Sequence, residues 1–274
     1  MRFLSTRARG GAAARSVSFR TALFEGLAPD GGLYMPETIE RWPESDLVAL
    51  PSRSVVETAV AALRPYVGDE LPASKLYAVL DDALNFPIPL VEIEPGLFAL
   101  ELFHGPTLAF KDVGARVLAR MLPALGAPDA ANALTVLVAT SGDTGGAVGH
   151  ACHGVPGVRV VILYPDRRIS PTQEAQLTCF NGSPGANVRA YAVDGTFDDC
   201  QRLVKTAFAD QRLRERAGLT SANSINIGRL LPQMTYYFHA AGLLAARGYE
   251  RAYFSTPSGN FGNLTAGVMA QRAG

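Results

Sequence analysis

Residues Leu134–Ala139 (LTVLVA) form an unbroken apolar run that empties into Thr140-Ser141-Gly142-Asp143-Thr144-Gly145-Gly146 and then a stretch of small residues. Five apolar residues and one β-branched threonine, without polar alternation, make a strand buried on both faces, which belongs to parallel sheets covered by helices. The stretches 158–164 (VRVVILY) and 188–193 repeat the signal. Helical patterns lie between them. Ser170-Pro171-Thr172-Gln173 has the form of a capping box with proline at the first helical position. In 197–208, Cys200, Leu203, Val204, Ala207 and Phe208 share one face. Strands and helices alternating through glycine-rich loops specify an α/β fold with a largely parallel sheet. Ligands bind such sheets at the carboxyl ends of the strands. Short strands at 97–102 and 253–256 also run into loops. The loops 103–110, 140–146 and 257–263 are therefore expected to open on one side.

The first of these loops carries the most pointed residue. Lys111 sits where Gly105-Pro106 turns into a helix whose apolar residues Val113, Val117, Leu118 and Met121 share a face opposite Arg116 and Arg120. A helix start repels cations, and Asp112 is the residue a first turn prefers. The chain has only three lysines, Lys75, Lys111 and Lys205, and uses arginine elsewhere. A lysine kept here is a candidate nucleophile or Schiff-base amine, a role that requires easy loss of its proton.

The other two loops are candidate anion sites. In Ser258-Gly259-Asn260-Phe261-Gly262-Asn263 the glycines let backbone N–H groups converge ahead of a helix, as a phosphate cradle requires. The loop lacks GxGxxG and GK[ST], so neither a dinucleotide nor a nucleoside triphosphate is its natural ligand. In 140–146 the Ser141 and Thr144 hydroxyls join the backbone donors, with Asp143 between them. A plain strand-to-helix turn with Thr or Ser as N-cap is the alternative. An aldehyde for the lysine and a phosphate for the glycine loop together describe pyridoxal 5'-phosphate.

Length and charge narrow the rest. The 274 residues are 48% hydrophobic, with 25 basic and 25 acidic residues. A zero net charge gives no footprint for nucleic acid or a membrane surface, and no apolar run approaches a membrane span. Three dispersed cysteines, Cys152, Cys179 and Cys200, and the pair His150/His153 form no metal or disulfide pattern, and the cysteines read as small buried residues. The arginine-rich start is read as a mature cytoplasmic N-terminus, with 3–6 and 17–19 as folded pieces around a Gly/Ala loop. Residues 1–85 form a first unit with helices at 55–63 and 75–84, and 86–274 form a second. A helical pattern at 229–247 is broken by Pro232.

The segments LELFHGPTLAFKD, ATSGDTGGA, RISPTQEAQ, DGTFDDCQ, NSINIGRLLPQ and TPSGNFGNLTAG, in this order, resemble the threonine synthase family. That family belongs to the tryptophan synthase β-like, fold type II pyridoxal-phosphate enzymes. The opening FLSTR, VSF and LAPDGGLYMPE are similar to its N-terminal domain. The resemblance implies that Lys111 is the Schiff-base lysine and proton carrier. It implies that Gly259, Asn260, Phe261, Gly262 and Asn263 hold the cofactor phosphate, and that Asp143 lies near the cofactor's phenolic oxygen. Ser141 and Thr144 would bind the substrate carboxylate, and Asn226 and Arg229 the substrate phosphate. The implied reaction converts O-phospho-L-homoserine and water to L-threonine and phosphate. Family members continue beyond the position of Gly274 with a further block of sheet and helix. The large domain is therefore expected to be incomplete here and to self-associate through its uncovered face. The alternatives are an inactive or partner-dependent remnant, and a serine/threonine dehydratase releasing ammonia and a keto acid.

Overall fold

The computed structural model describes residues 1–8, 16–126, 133–223, 226–257 and 259–274. The Gly/Ala loop at 9–15 and Ser258 of the glycine loop lie outside the described residues. The expected folded pieces at the start are present: β1 (Phe3–Ser5) pairs antiparallel with β2 (Tyr34–Pro36), and Phe3 also bridges Val17. Between them runs α1 (Phe19–Glu25), whose Ser18 cap is reinforced by Glu70, which accepts from the N–H groups of Phe19 and Arg20. Then come α2 (Glu44–Ala49), α3 (Val55–Val67) and α4 (Ala73–Ala83). The helix expected over 55–63 runs on past Pro65. One backbone hydrogen bond is lost there, but Tyr66 and Val67, each 1% exposed, gain a core position. Burying side chains of that size is worth about 1.5–3 kcal/mol each.

The strand expected over 97–102 forms, but not in the parallel sheet. It is β4 (Leu97–Leu100), paired antiparallel in a hairpin with β3 (Leu90–Glu94). Four of the five residues of β3 are exposed, the apolar Val91 and Ile93 among them, so its pairing with β4 rather than burial makes it a strand. The chain then enters α5 (Lys111–Ala124), which packs on α4 and on α6.

The main sheet follows the sequence pattern closely. β5 (Leu134–Ala139), α6 (Asp143–Cys152), β6 (Val158–Pro165), α7 (Pro171–Thr178), β7 (Val188–Val193), α8 (Phe197–Ala209), α9 (Gln211–Ala217) and β8 (Leu219–Thr220) build four parallel strands in the order β7-β6-β5-β8. Every residue of β5 is buried. Leu134, Val136 and Val138 face the main core with α5 and α6. Leu137 and Ala139 face Cys200 and Val204 of α8. Leu203, expected on the buried face of α8, is instead 44% exposed. The chain steps away from β5 to β6 and β7, then returns to β5's other side as β8. The strand order therefore reverses between β5 and β8, the place where such sheets bind ligands.

Three helices complete the fold: α10 (Ile227–Leu230), α11 (Met234–Ala245) and α12 (Gly262–Ala273), with a 3-10 turn at Pro232 joining the first two. The strand expected over 253–256 is absent. No ladder partner is described beside it, so its polar backbone gains nothing by extending. Tyr253 and Phe254 are exposed. Among the described residues no helix is long and apolar enough to cross a membrane.

His239 of α11 donates from Nε2 to the Ile88 carbonyl at 3.0 Å, and burial pushes its imidazole below the usual histidine range. Burial does the same to His150. The unfolded chain therefore takes up protons near pH 6.5 that the folded chain resists. The stability they contribute is complete above that pH and is lost as pH falls through it toward the lower folded values. Thermal unfolding at a series of pH values is expected to show Tm falling as pH drops from about 7.5 to 5.5. His239→Gln, which keeps a donor for Ile88, should flatten part of that slope. An unchanged slope would refute the assignment.

Candidate active site

Lys111 is the first residue of α5, as the sequence pattern requires. The turn before it is fastened by Asp112, which is 1% exposed. Its carboxylate accepts from the Thr107 N–H at 2.8 Å and from the Thr107 hydroxyl at 2.7 Å. The Phe110 carbonyl accepts from the Tyr236 hydroxyl at 2.7 Å. Lys111 Nζ lies 4.5 Å from the Phe110 ring centroid and 3.5 Å from Asp143 Oδ2. The donor that Asp143 faces inside its loop is thus a side chain of the protein itself.

The 140–146 loop is organised by a residue just before its glycines. Thr140 Oγ1 accepts from the N–H groups of Gly142 and Gly145 at 3.0 and 2.9 Å. Neither Ser141 nor Thr144 caps α6; the cap position is Gly142, at φ 139, with no side-chain bond. Only glycine adopts that conformation without strain. Ser141 and Asp143 are exposed and Thr144 half-buried, and all three face the same cavity.

That cavity has a volume of about 870 Å³ and lies over the switch between β5 and β8. Its lining brings together Lys111, Ser141, Asp143, Thr144, Gly259, Asn260, Gly262, Asn263 and Arg229. The three loops do open on one side, although only one of them leaves the parallel sheet. α12 begins at Gly262, and its first two residues, Gly262 and Asn263, line the cavity. The Tyr237 hydroxyl donates to Asn263 Oδ1 at 2.5 Å and so anchors that end. Phe261 contributes no side chain to the lining; its ring is 65% exposed to solvent.

Arg229 is 3% exposed. One terminal nitrogen donates to the Ala222 carbonyl at 2.7 Å, while its buried Nε has no partner among the described residues. Burial lowers its guanidinium to about 10, so it remains a cation at neutral pH. Gly114 makes its position possible: a Cβ there would lie 2.9 Å from the Arg229 carbonyl. Asn226, expected to hold substrate phosphate, is corrected by the structure. It is fully buried, and its amide donates to the carbonyls of Leu23 and Ser221 while accepting from Gly228 N–H. An N-cap with every polar atom engaged has nothing left for a ligand, and Asn226 is not in the lining.

Several lining residues gave no sequence signal. Arg7 and Glu25 reach the cavity from the N-terminal region, and Asn223, Lys205 and Arg214 from the sheet side. Nothing local marks them, because they meet only through the fold. The cysteines are all free thiols, but Cys179 is exposed rather than buried. Among the described residues no group of His, Cys, Asp and Glu could hold a metal.

Residues 2–84 match the family described as "Threonine synthase N terminus" and residues 84–273 the family "Pyridoxal-phosphate dependent enzyme". Threonine synthase of Haemophilus influenzae is 48% identical over 259 residues, and that of Escherichia coli K12 is 45% identical over 258. Each alignment covers 94% of this chain and 59% of the relative, so the chain spans about three-fifths of the length of these relatives. The crystal structure of Escherichia coli threonine synthase superposes with a TM-score of 0.89 at 42% identity, covering 100% of this chain and 61% of that one. A structure of pyridoxal-phosphate-bound threonine synthase from Brucella melitensis gives 0.88 and 42%, covering 100% and 58%. With the two family matches together spanning residues 2–273, the chain belongs to the pyridoxal-phosphate-dependent enzymes, in the branch that carries a threonine synthase N terminus.

Proposed function

We propose that this chain carries the lysine, cofactor-phosphate and substrate sites of a threonine synthase, converting O-phospho-L-homoserine and water to L-threonine and phosphate. The observation that carries the reading is the meeting of Lys111, the 140–146 loop and the start of α12 around one cavity lined also by a buried arginine whose Nε has no partner among the described residues. This donor set fits pyridoxal phosphate. An amine stands at one end and an open helix start at the other, where a Cβ on Gly259 would meet nothing within 4 Å. When bound, the cofactor supplies an aldehyde for the lysine and a ring that accepts electrons from the substrate.

The chain's own groups do the rest. Backbone N–H groups of Gly259, Asn260, Phe261, Gly262 and Asn263 hold the cofactor phosphate. Asp143 would keep the lysine end polar and oriented, and would face the phenolic oxygen of a bound cofactor. Lys111 Nζ moves the proton at the substrate Cα, which needs a neutral amine. Ser141 and Thr144 hold the substrate carboxylate. Arg229 receives the leaving phosphate, and its unpaired Nε gains the partner a buried donor requires. Residues 1–85 supply the wall through Arg7, Glu25, Leu27 and Pro29, and 86–274 supply the chemistry. Exposed Tyr253, Phe254, Leu264 and Val268 support self-association through this part of the chain.

Incubation with pyridoxal phosphate, borohydride reduction and peptide mass analysis are expected to place the cofactor mass on Lys111 and not on Lys75 or Lys205. Phosphate should then be released from O-phospho-L-homoserine without ammonia. Cofactor mass spread over all three lysines would overturn the proposal, and ammonia with a keto acid would point to a dehydratase.

A further inference from the structure

We infer that Gln173 is a positioning residue of the lysine site, holding the Asp143 carboxylate in place against Lys111. The inference rests on the reading of Lys111 as the reactive amine. Gln173 belongs to the capping box of α7, and its Oε1 faces the Ser170 N–H and hydroxyl at 3.2 and 3.3 Å. Its other amide atom is used as well: Nε2 donates to Asp143 Oδ1 at 2.9 Å. The second carboxylate oxygen, Oδ2, faces Lys111 Nζ at 3.5 Å. One carboxylate thus bridges the α7 cap and the α5 lysine. Asp143 is half exposed, and a side chain that free does not hold a single orientation without such a clamp. The backbone makes room for the arrangement. A Cβ on Gly142 would lie 2.3–2.9 Å from the Gln173 amide atoms and would push that amide off Asp143. Gln173 also lines the cavity.

A glutamine that only capped α7 would be replaceable by glutamate, which serves the same box. The two roles therefore separate. Gln173→Glu keeps the cap, removes the donor to Asp143 and places a second negative charge beside the Lys111–Asp143 pair. That charge holds Lys111 as the ammonium. Gln173→Ala loses the cap and frees Asp143 from its orientation, loosening the ion pair. The chain has three lysines, so competitive labelling with acetic anhydride, read by peptide mass, reports Lys111 against Lys75 and Lys205 as internal standards. No cofactor is needed. In Gln173→Glu the Lys111 labelling rate relative to the standards is expected to fall about threefold, the effect of one partly screened charge at this range, with Tm unchanged or higher. In Gln173→Ala the relative rate is expected to rise and Tm to fall. A Gln173→Glu ratio equal to wild type, or both variants moving in the same direction, overturns the inference. Failure of the wild-type chain to take up pyridoxal phosphate would sink the functional reading instead, and the labelling would still decide the role of Gln173.

Discussion

Replacing Lys111 with alanine is expected to abolish phosphate release from O-phospho-L-homoserine, by about a thousandfold or more. Loss of a positioned general base alone costs about 10²–10⁴ in rate, and the same side chain is the proposed covalent anchor for the cofactor. The fold should not notice. The Lys111 side chain is partly exposed and its ion pair is with a half-exposed aspartate, an arrangement worth about 0–1 kcal/mol. The variant should therefore keep its Tm while losing turnover and the borohydride-fixed mass at position 111. Lys111→Arg sharpens the test. Arginine keeps the positive charge for Asp143 but cannot give up its proton, so it should be as inactive as alanine. Turnover in Lys111→Arg near the wild-type rate would show that the lysine acts only through its charge.

The largest expected effect on stability is at the neighbouring residue. Asp112→Ala removes the only described acceptor of the Thr107 N–H and hydroxyl, in a residue 5% exposed. Each buried donor left without a partner costs about 1–3 kcal/mol, so a loss of roughly 2–4 kcal/mol is expected. In a chain of this size that is a fall of roughly 5–12 °C in Tm. The loss should be partly repaired by Thr107→Val in the same chain, since removing both partners is cheaper than orphaning one. If the double variant is less stable than Asp112→Ala alone, the hydrogen bonds are not the cause. Asp112 also sets the turn that places Lys111, so cofactor uptake should weaken along with stability.

The parts of the fold legible from sequence were those whose signal is local. The LTVLVA run is continuous because both faces of β5 are covered, and the capping box of α7 is written in four residues. The lysine declared itself by being out of place at a helix start. Signals that depend on a neighbour failed. β3 is a strand because β4 pairs with it, although its own residues are mostly exposed. Residues 253–256 have strand composition but no described ladder. Asn226 has the chemistry of a phosphate ligand, and only its three bonds show that the fold has already used it. Gln173 was hidden for the opposite reason: the cap explained it fully, so nothing suggested a second partner. Arg229 could be named from its motif, but its unpaired buried Nε is visible only in three dimensions.

The two tyrosines of α11 have a kinematic consequence. Neighbouring positions on a helix point about 100° apart, so Tyr236 and Tyr237 reach different walls of the cavity from one rigid rod. The first holds the carbonyl just before Lys111, and the second holds Asn263 at the head of α12. The lysine wall and the phosphate wall therefore share one datum and travel together. Among the described residues no hydrogen bond ties the 140–146 loop to α11. Its links to that frame are the packing of α6 on α5 and the Asp143–Lys111 pair, so a displacement of the loop is felt first at the lysine wall.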